Sequence, residues 1–165
     1  MDANKLRPLN HNSTGRLRSG LGKFATGVTV VTCPGAGGPF GVTANSFSSV
    51  SLEPPLILWN LARVTKSAQA YRDARHFAVN VLASNQEPVA AHFARTDHAS
   101  FDGIEYTLSA SGVPILPGTI ACFECRTHRI HDGGDHWIIV GEVEEFRFAD
   151  GDPLLFFAGR YERLK

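Results

Sequence analysis

The chain has 165 residues, a length that suits one domain. Its 16 Lys plus Arg balance 16 Asp plus Glu, and a formal net charge of zero argues against a general nucleic-acid binder, which carries a basic excess. At 43% hydrophobic and 19% charged residues the composition is globular, not disordered, and a chain of this size builds a core without staples.

Residues 1–12 are polar and aperiodic, which predicts a flexible tail ahead of a single domain over 13–165. No apolar stretch precedes a cleavage site there, so a secretory signal is not expected. Ser13 and Thr14 are N-cap candidates for a helix to about residue 25, with Leu17, Leu21, Phe24 and Ala25 at helical spacing and Gly27 just past its end. β-branched residues predict a strand over 28–33, a Pro- and Gly-rich turn over 34–39 and a returning strand over 40–44. A short strand over 47–51 is broken at Pro54-Pro55, and 56–61 is a mostly apolar strand. A helix from 65 to about 73, a core strand over 76–82 and a helix over 85–93 follow, the last with Val89, Ala90 and Phe93 on one face. Residues 94–120 are irregular and long enough to suggest a functional excursion. Strands over 120–131 and 136–148 flank a hairpin turn at Asp132-Gly133-Gly134-Asp135, and 154–161 is a last short strand. About seven strands, two or three short helices and no strand–helix alternation predict an all-β dominated fold, an antiparallel β-barrel with helices at its rim.

The sequence contains no run of about 18 apolar residues, so no membrane span is expected. Three cysteines, Cys33, Cys122 and Cys125, are too few and odd in number for a disulfide framework, and a reducing cytoplasm is the expected compartment. Cys122, Cys125, His128 and His131 are metal-type ligands three apart, but on a strand such residues alternate faces and cannot converge on one ion, so no metal site is expected. The turn Gly35-Ala36-Gly37-Gly38-Pro39-Phe40-Gly41 is not a dinucleotide fingerprint: Phe40 takes the place of the third glycine, and a strand follows it.

Four segments carry polar chemistry. Thr43-Ala44-Asn45-Ser46 offers two hydroxyls, an amide and backbone N–H groups at a strand end, which suits a planar heterocycle or an ordinary loop. Arg63-Val64-Thr65-Lys66-Ser67 puts two cations and two hydroxyls at a helix start, either a phosphate site or a capped surface helix. His136 opens a strand at a hairpin edge, where it is surface or stacks on a ligand. Gly159-Arg160-Tyr161 is an edge strand or an aromatic and a cation facing a site.

Beyond these local readings, an ordered series of motifs resembles a family. It runs Phe24-Ala25-Thr26-Gly27-Val28-Thr29-Val30-Val31-Thr32, then Gly41-Val42-Thr43-Ala44-Asn45-Ser46-Phe47, Ser49-Val50-Ser51 and Pro54-Pro55-Leu56. It continues through Phe77-Ala78-Val79-Asn80-Val81-Leu82, Glu124-Cys125, Gly134-Asp135-His136, Val140-Gly141-Glu142-Val143 and Gly159-Arg160-Tyr161. Over residues 16–163 the chain resembles the short flavin reductases of two-component flavin-dependent monooxygenases. The resemblance implies a homodimer of split β-barrels that passes hydride from NADH, or NADPH, to FMN or FAD and releases reduced flavin to an oxygenase. It implies flavin binding at Thr43, Ala44, Asn45 and Ser46, with Asn60, Thr65, Lys66 and Ser67 at the ribityl-phosphate end. Gly27, Val28, Thr29, Phe93 and Arg95 are further flavin-side candidates, and His136 and Tyr161 match positions near the nicotinamide. Hydride transfer runs directly between the two cofactors, so no protein nucleophile is expected. Other readings are a split-barrel flavoprotein acting on another small molecule and a non-catalytic flavin-binding module.

Overall fold

In chain order the elements are α1 (Thr14–Leu21), β1 (Thr26–Gly27), β2 (Thr29–Cys33), β3 (Phe40–Ala44), β4 (Ser48–Leu52), β5 (Pro55–Ala62), α2 (Ala68–Asp73) and β6 (His76–Val81). Then come α3 (Glu87–Phe93), β7 (Thr107–Leu108), β8 (Pro114–Ile115), β9 (Ala121–Gly133), β10 (His136–Phe148), β11 (Leu155–Phe157) and β12 (Arg160–Glu162). This computed structural model describes residues 6, 8–10, 13–95 and 100–164, so much of the tail expected over 1–12 lies outside the described residues.

The main strands fall where the sequence patterns place them, and the differences have local causes. α1 stops at Leu21, with Gly22 as its C-cap, several residues short of the expected end. None of its residues is buried, so its apolar spacing has no core to extend against, and Gly27 joins β1 instead of capping the helix. Ser13 does sit at the N-cap, but its hydroxyl donates to Asn10 Oδ1 and makes no cap bond. The single strand expected over 154–161 is a hairpin: Ala158 and Gly159 both take positive φ, and β11 folds back onto β12. The irregular stretch after α3 contains a two-stranded ladder, β7 with β8. Among the described residues there are twelve strands where about seven were expected, because five are only two or three residues long.

Seven strands form one antiparallel sheet in the order β3-β2-β6-β9-β10-β5-β4. Its two edge strands, β3 and β4, are consecutive in the chain and joined only by residues 45–47. A flat sheet would hold those edges about 29 Å apart, six strand spacings, whereas the link reaches about 14 Å. The sheet therefore curls until its edges approach. Ser46 bridges the seam: its Oγ accepts the Asn60 N–H at 2.9 Å.

The curled sheet encloses Trp59, Tyr71, Phe77, Val31 and Ile139, all essentially inaccessible to solvent. Trp59 meets Tyr71 edge-on at 5.3 Å, a geometry worth about 0.5–1.5 kcal/mol beyond the buried area. Tyr71 also donates its hydroxyl to Val31 O at 2.8 Å, which ties α2 to β2. A second cluster joins Val28, Val30, Leu82, Phe93, Leu116 and Leu154 beneath α3. Cys125 packs with Phe77 and Val79 in the first cluster, whereas Cys122 packs with Ala78 and Val113 on the other face of β9. His128 and His131 are exposed.

Candidate functional site

Asn60 and Ala62 share one face of β5, and His136 and Ile138 share one face of the adjacent β10, where Ala62 pairs with His136. Across the seam stand the end of β3 and its link, Val42 to Ser46. Together with Leu61, Thr65, Ala94 and Gly133 these residues line a cleft of about 400 Å³, within the range that holds a cofactor-sized ligand. The curl thus unites Thr43, Ala44, Asn45, Ser46, Asn60, Thr65 and His136, which the sequence scatters over more than ninety residues.

Most of the hydroxyls near this cleft hold the scaffold. Thr43 donates its hydroxyl to Ala90 O at 2.7 Å, anchoring α3 against β3. Thr29, buried, donates to Ala44 O at 2.7 Å. Ser46 serves the Asn60 backbone on both sides, accepting from its N–H and donating to its carbonyl at 3.3 Å. Asn45 is exposed at the rim of the cleft.

The β9–β10 turn forms the opposite lip. His136 pairs with Gly133, so Gly134 and Asp135 make a two-residue turn, and Gly134 takes φ +80°, a region glycine favours. Asp135 Oδ1 holds His136 Nδ1 at 2.7 Å, and this hydrogen bond lowers the Asp135 carboxyl below its ordinary value. The Asp132 carboxyl is lowered too, first by the Gly134 N–H that it accepts and then by the Arg63 guanidinium beside it.

Thr65 is buried and lines the cleft; Lys66 is exposed and Ser67 buried, and neither is a lining residue. Ser67 precedes α2 as its N-cap without capping it, and its buried Oγ has no hydrogen-bond partner among the described residues.

A smaller pocket of about 200 Å³ adjoins the cleft through Thr43, Asn45 and Ala94, and adds Val28, Phe156 and Tyr161. Burial raises the Tyr161 hydroxyl above its ordinary pKa, and Glu87 adds to the effect. Gly27 is exposed in β1, paired with Leu155. Phe93 is buried in the core, its ring against Gly41, and Arg95 lines a separate pocket with His92, Ser100 and Asp102. The sequence alone does not single out Ala62, Ile138, Gly133 or Phe156. Strand alternation from Asn60 and His136 carries the signal for the first two.

The cleft is lined by both polar and apolar groups, and a pocket with two aromatic rings, Phe156 and Tyr161, adjoins it. The family described as Flavin reductase like domain matches residues 21–165, and this chain belongs to that family. The FMN reductase (NADH) SmoA of Agrobacterium fabrum is 49% identical over 147 residues, covering 89% of this chain and 84% of the relative. The reductase subunit HsaB of a flavin-dependent monooxygenase from Rhodococcus jostii is 42% identical, covering 91% and 77%. Among solved structures, the NADH:FAD oxidoreductase SgcE6 of Streptomyces globisporus, in complex with NAD and FAD fragments, superposes with a TM-score of 0.90 at 40% identity, covering 97% and 98%.

Proposed function

We propose that this chain is an NADH-dependent flavin reductase that supplies reduced FMN or FAD to a separate flavin-dependent monooxygenase. The observation that carries this reading is the 400 Å³ cleft, which brings six of the residues nominated for the flavin, Thr43, Ala44, Asn45, Ser46, Asn60 and Thr65, together with His136, nominated for the nicotinamide, in a chain 49% identical to an NADH-dependent FMN reductase.

The residues present fit a flavin. The end of β3 and its link offer backbone groups and Asn45 along one wall, because the nearby hydroxyls are engaged internally and leave the main chain to face the ligand. Asn60 and Thr65 face it from β5 and the segment after it, next to Lys66 and Ser67 in the chain, and the unpartnered buried hydroxyl of Ser67 suits a phosphate oxygen. Bound there, the flavin supplies the hydride acceptor. Backbone N–H groups near Asn45 and Ser46 would donate to the flavin's acceptor atoms and offset negative charge there. His136 and Tyr161 confine the nicotinamide, His136 from the cleft and Tyr161 from the adjoining pocket. Thr29 and Phe93 support the β3 wall from beneath, Val28 lines the adjoining pocket, and Gly27 and Arg95 stand outside the cleft.

The same reading extends to the whole molecule. Residues 13–165 form one split-barrel domain, a closure favoured by the three-residue link between the sheet's edges. The domain pairs as a homodimer, which would cover apolar surface such as Leu17 and Leu21 on α1, a helix with no buried residue. No described helix is long and apolar enough to cross a membrane. Three free, buried cysteines suit the reducing cytoplasm.

The test is NADH oxidation followed by absorbance, with and without added FMN or FAD. NADH loss that saturates with flavin is expected, and the two flavin KM values identify the preferred flavin. Flavin binding without NADH loss overturns the reductase reading in favour of a flavin-binding module. NADPH in place of NADH measures the nicotinamide preference.

A further inference from the structure

Arg63 lies one residue beyond the end of β5, outside the cleft lining. Its bonds all run to the β9–β10 turn. The Arg63 N–H donates to Asp135 O at 3.0 Å, adding one rung to the β5–β10 ladder. Its Nε donates to Gly134 O at 2.6 Å, and its Nη2 donates to Asp132 Oδ2. Its guanidinium lies 3.6 Å from the centre of the Trp137 ring. Asp132 in turn accepts the Gly134 N–H at 2.9 Å. One side chain therefore grips residues on both sides of His136, while His136 lines the cleft.

We propose that Arg63 is a positioning residue for the nicotinamide: it locks the β9–β10 turn so that the His136 ring holds one place in the cleft. The proposal rests on the reading above, in which NADH binds beside His136. A two-residue turn that starts on a glycine is flexible on its own, and hydride transfer tolerates little misplacement of its partners. A planar guanidinium serves this role because it donates in two directions while stacking on an aromatic face, which lysine cannot do.

The test is a double-mutant cycle on the full chain, read as the KM for NADH at saturating flavin and as the flavin Kd by fluorescence quenching. Arg63→Ala raises the NADH KM about fivefold and leaves the flavin Kd within about twofold. In the His136→Ala background, Arg63→Ala adds no further rise, because it acts through the ring already removed. Asp132→Asn, which loosens the same clamp at constant volume, gives a smaller rise in the same direction. Arg72→Ala removes the other cation over Trp137, 4.5 Å from its centre, and leaves the NADH KM near the parent value. Additive effects of Arg63→Ala and His136→Ala overturn the proposal, as does a parallel loss of flavin affinity or an equal effect of Arg72→Ala. An unchanged NADH KM in His136→Ala alone refutes the underlying placement of the nicotinamide, whatever Arg63→Ala does.

Discussion

Ser67 differs from the hydroxyls that tie the scaffold together around the cleft. Thr29, Thr43 and Ser46 each have a backbone partner in the fold, whereas the Ser67 Oγ is buried with none among the described residues. A buried hydroxyl without a partner costs about 1–3 kcal/mol, and a charged ligand that supplies one returns that energy on binding. Ser67→Ala is therefore expected to leave the flavin-free protein as stable as the parent or about 1 kcal/mol more stable in urea unfolding, and to weaken flavin several-fold. Lys66→Ala together with Ser67→Ala weakens flavin further, since hydrogen bonds to a charged group contribute about 1.5–3 kcal/mol each. An unaltered flavin Kd in the double variant places the phosphate elsewhere.

The packing of α3 on β3 shapes one wall of the cleft. Gly41 permits it: a Cβ there would lie 2.4 Å from the Phe93 ring, closer than any real contact. Two residues further along β3, Thr43 binds the carbonyl of Ala90. Phe93 is fully buried and has no room to yield, so Gly41→Ala must push the helix off the strand. The expected cost is about 1–3 kcal/mol in urea unfolding, with weaker flavin binding because Thr43 and Asn45 move with the strand. Parent-like stability and flavin affinity would show that α3 adjusts without disturbing the site. On the opposite wall the register of β10 against β5 does the equivalent work, since pairing His136 with Ala62 sets the histidine level with the end of β5. A slip of one residue would turn His136 to the other face of the sheet.

Over the whole molecule, burial leaves its thiols protonated. It pushes Cys33 up from an ordinary value of 9.0 to about 12 and Cys122 to about 11, and it raises Cys125 as well. Above about pH 9 the unfolded chain loses these protons while the folded chain keeps them. The unfolded state then binds fewer protons, so stability falls as pH rises. The contribution is fully present below the unfolded value of 9.0 and is lost as pH climbs toward about 11 and 12. The melting temperature is expected to be level near pH 8 and to drop through that alkaline window. All three thiols should resist iodoacetamide near pH 8 until the protein unfolds. Rapid alkylation of the native protein would contradict the burial that underlies both expectations.

Sequence by itself determined the elements whose signals are local. β-branched residues marked β2 and β3, apolar runs marked β5 and β6, glycines marked the β9–β10 turn, and the order of the motifs marked the family. The lengths of α1 and of the C-terminal hairpin were less legible. A helix without a buried face ends on small differences, and two three-residue strands leave too short a pattern to separate. Of the candidate site, the polar residues could be named, but their division of labour could not. The type of Thr43 is the same whether its hydroxyl meets a ligand or the carbonyl of Ala90, and only the packing of α3 selects the second. Arg63 likewise reads as one of two cations at a phosphate site or a capped surface helix until the register of β5 and β10 brings it over the turn. Tertiary structure decided these matters because they depend on contacts across the curled sheet, between residues about seventy positions apart, where no local pattern reaches.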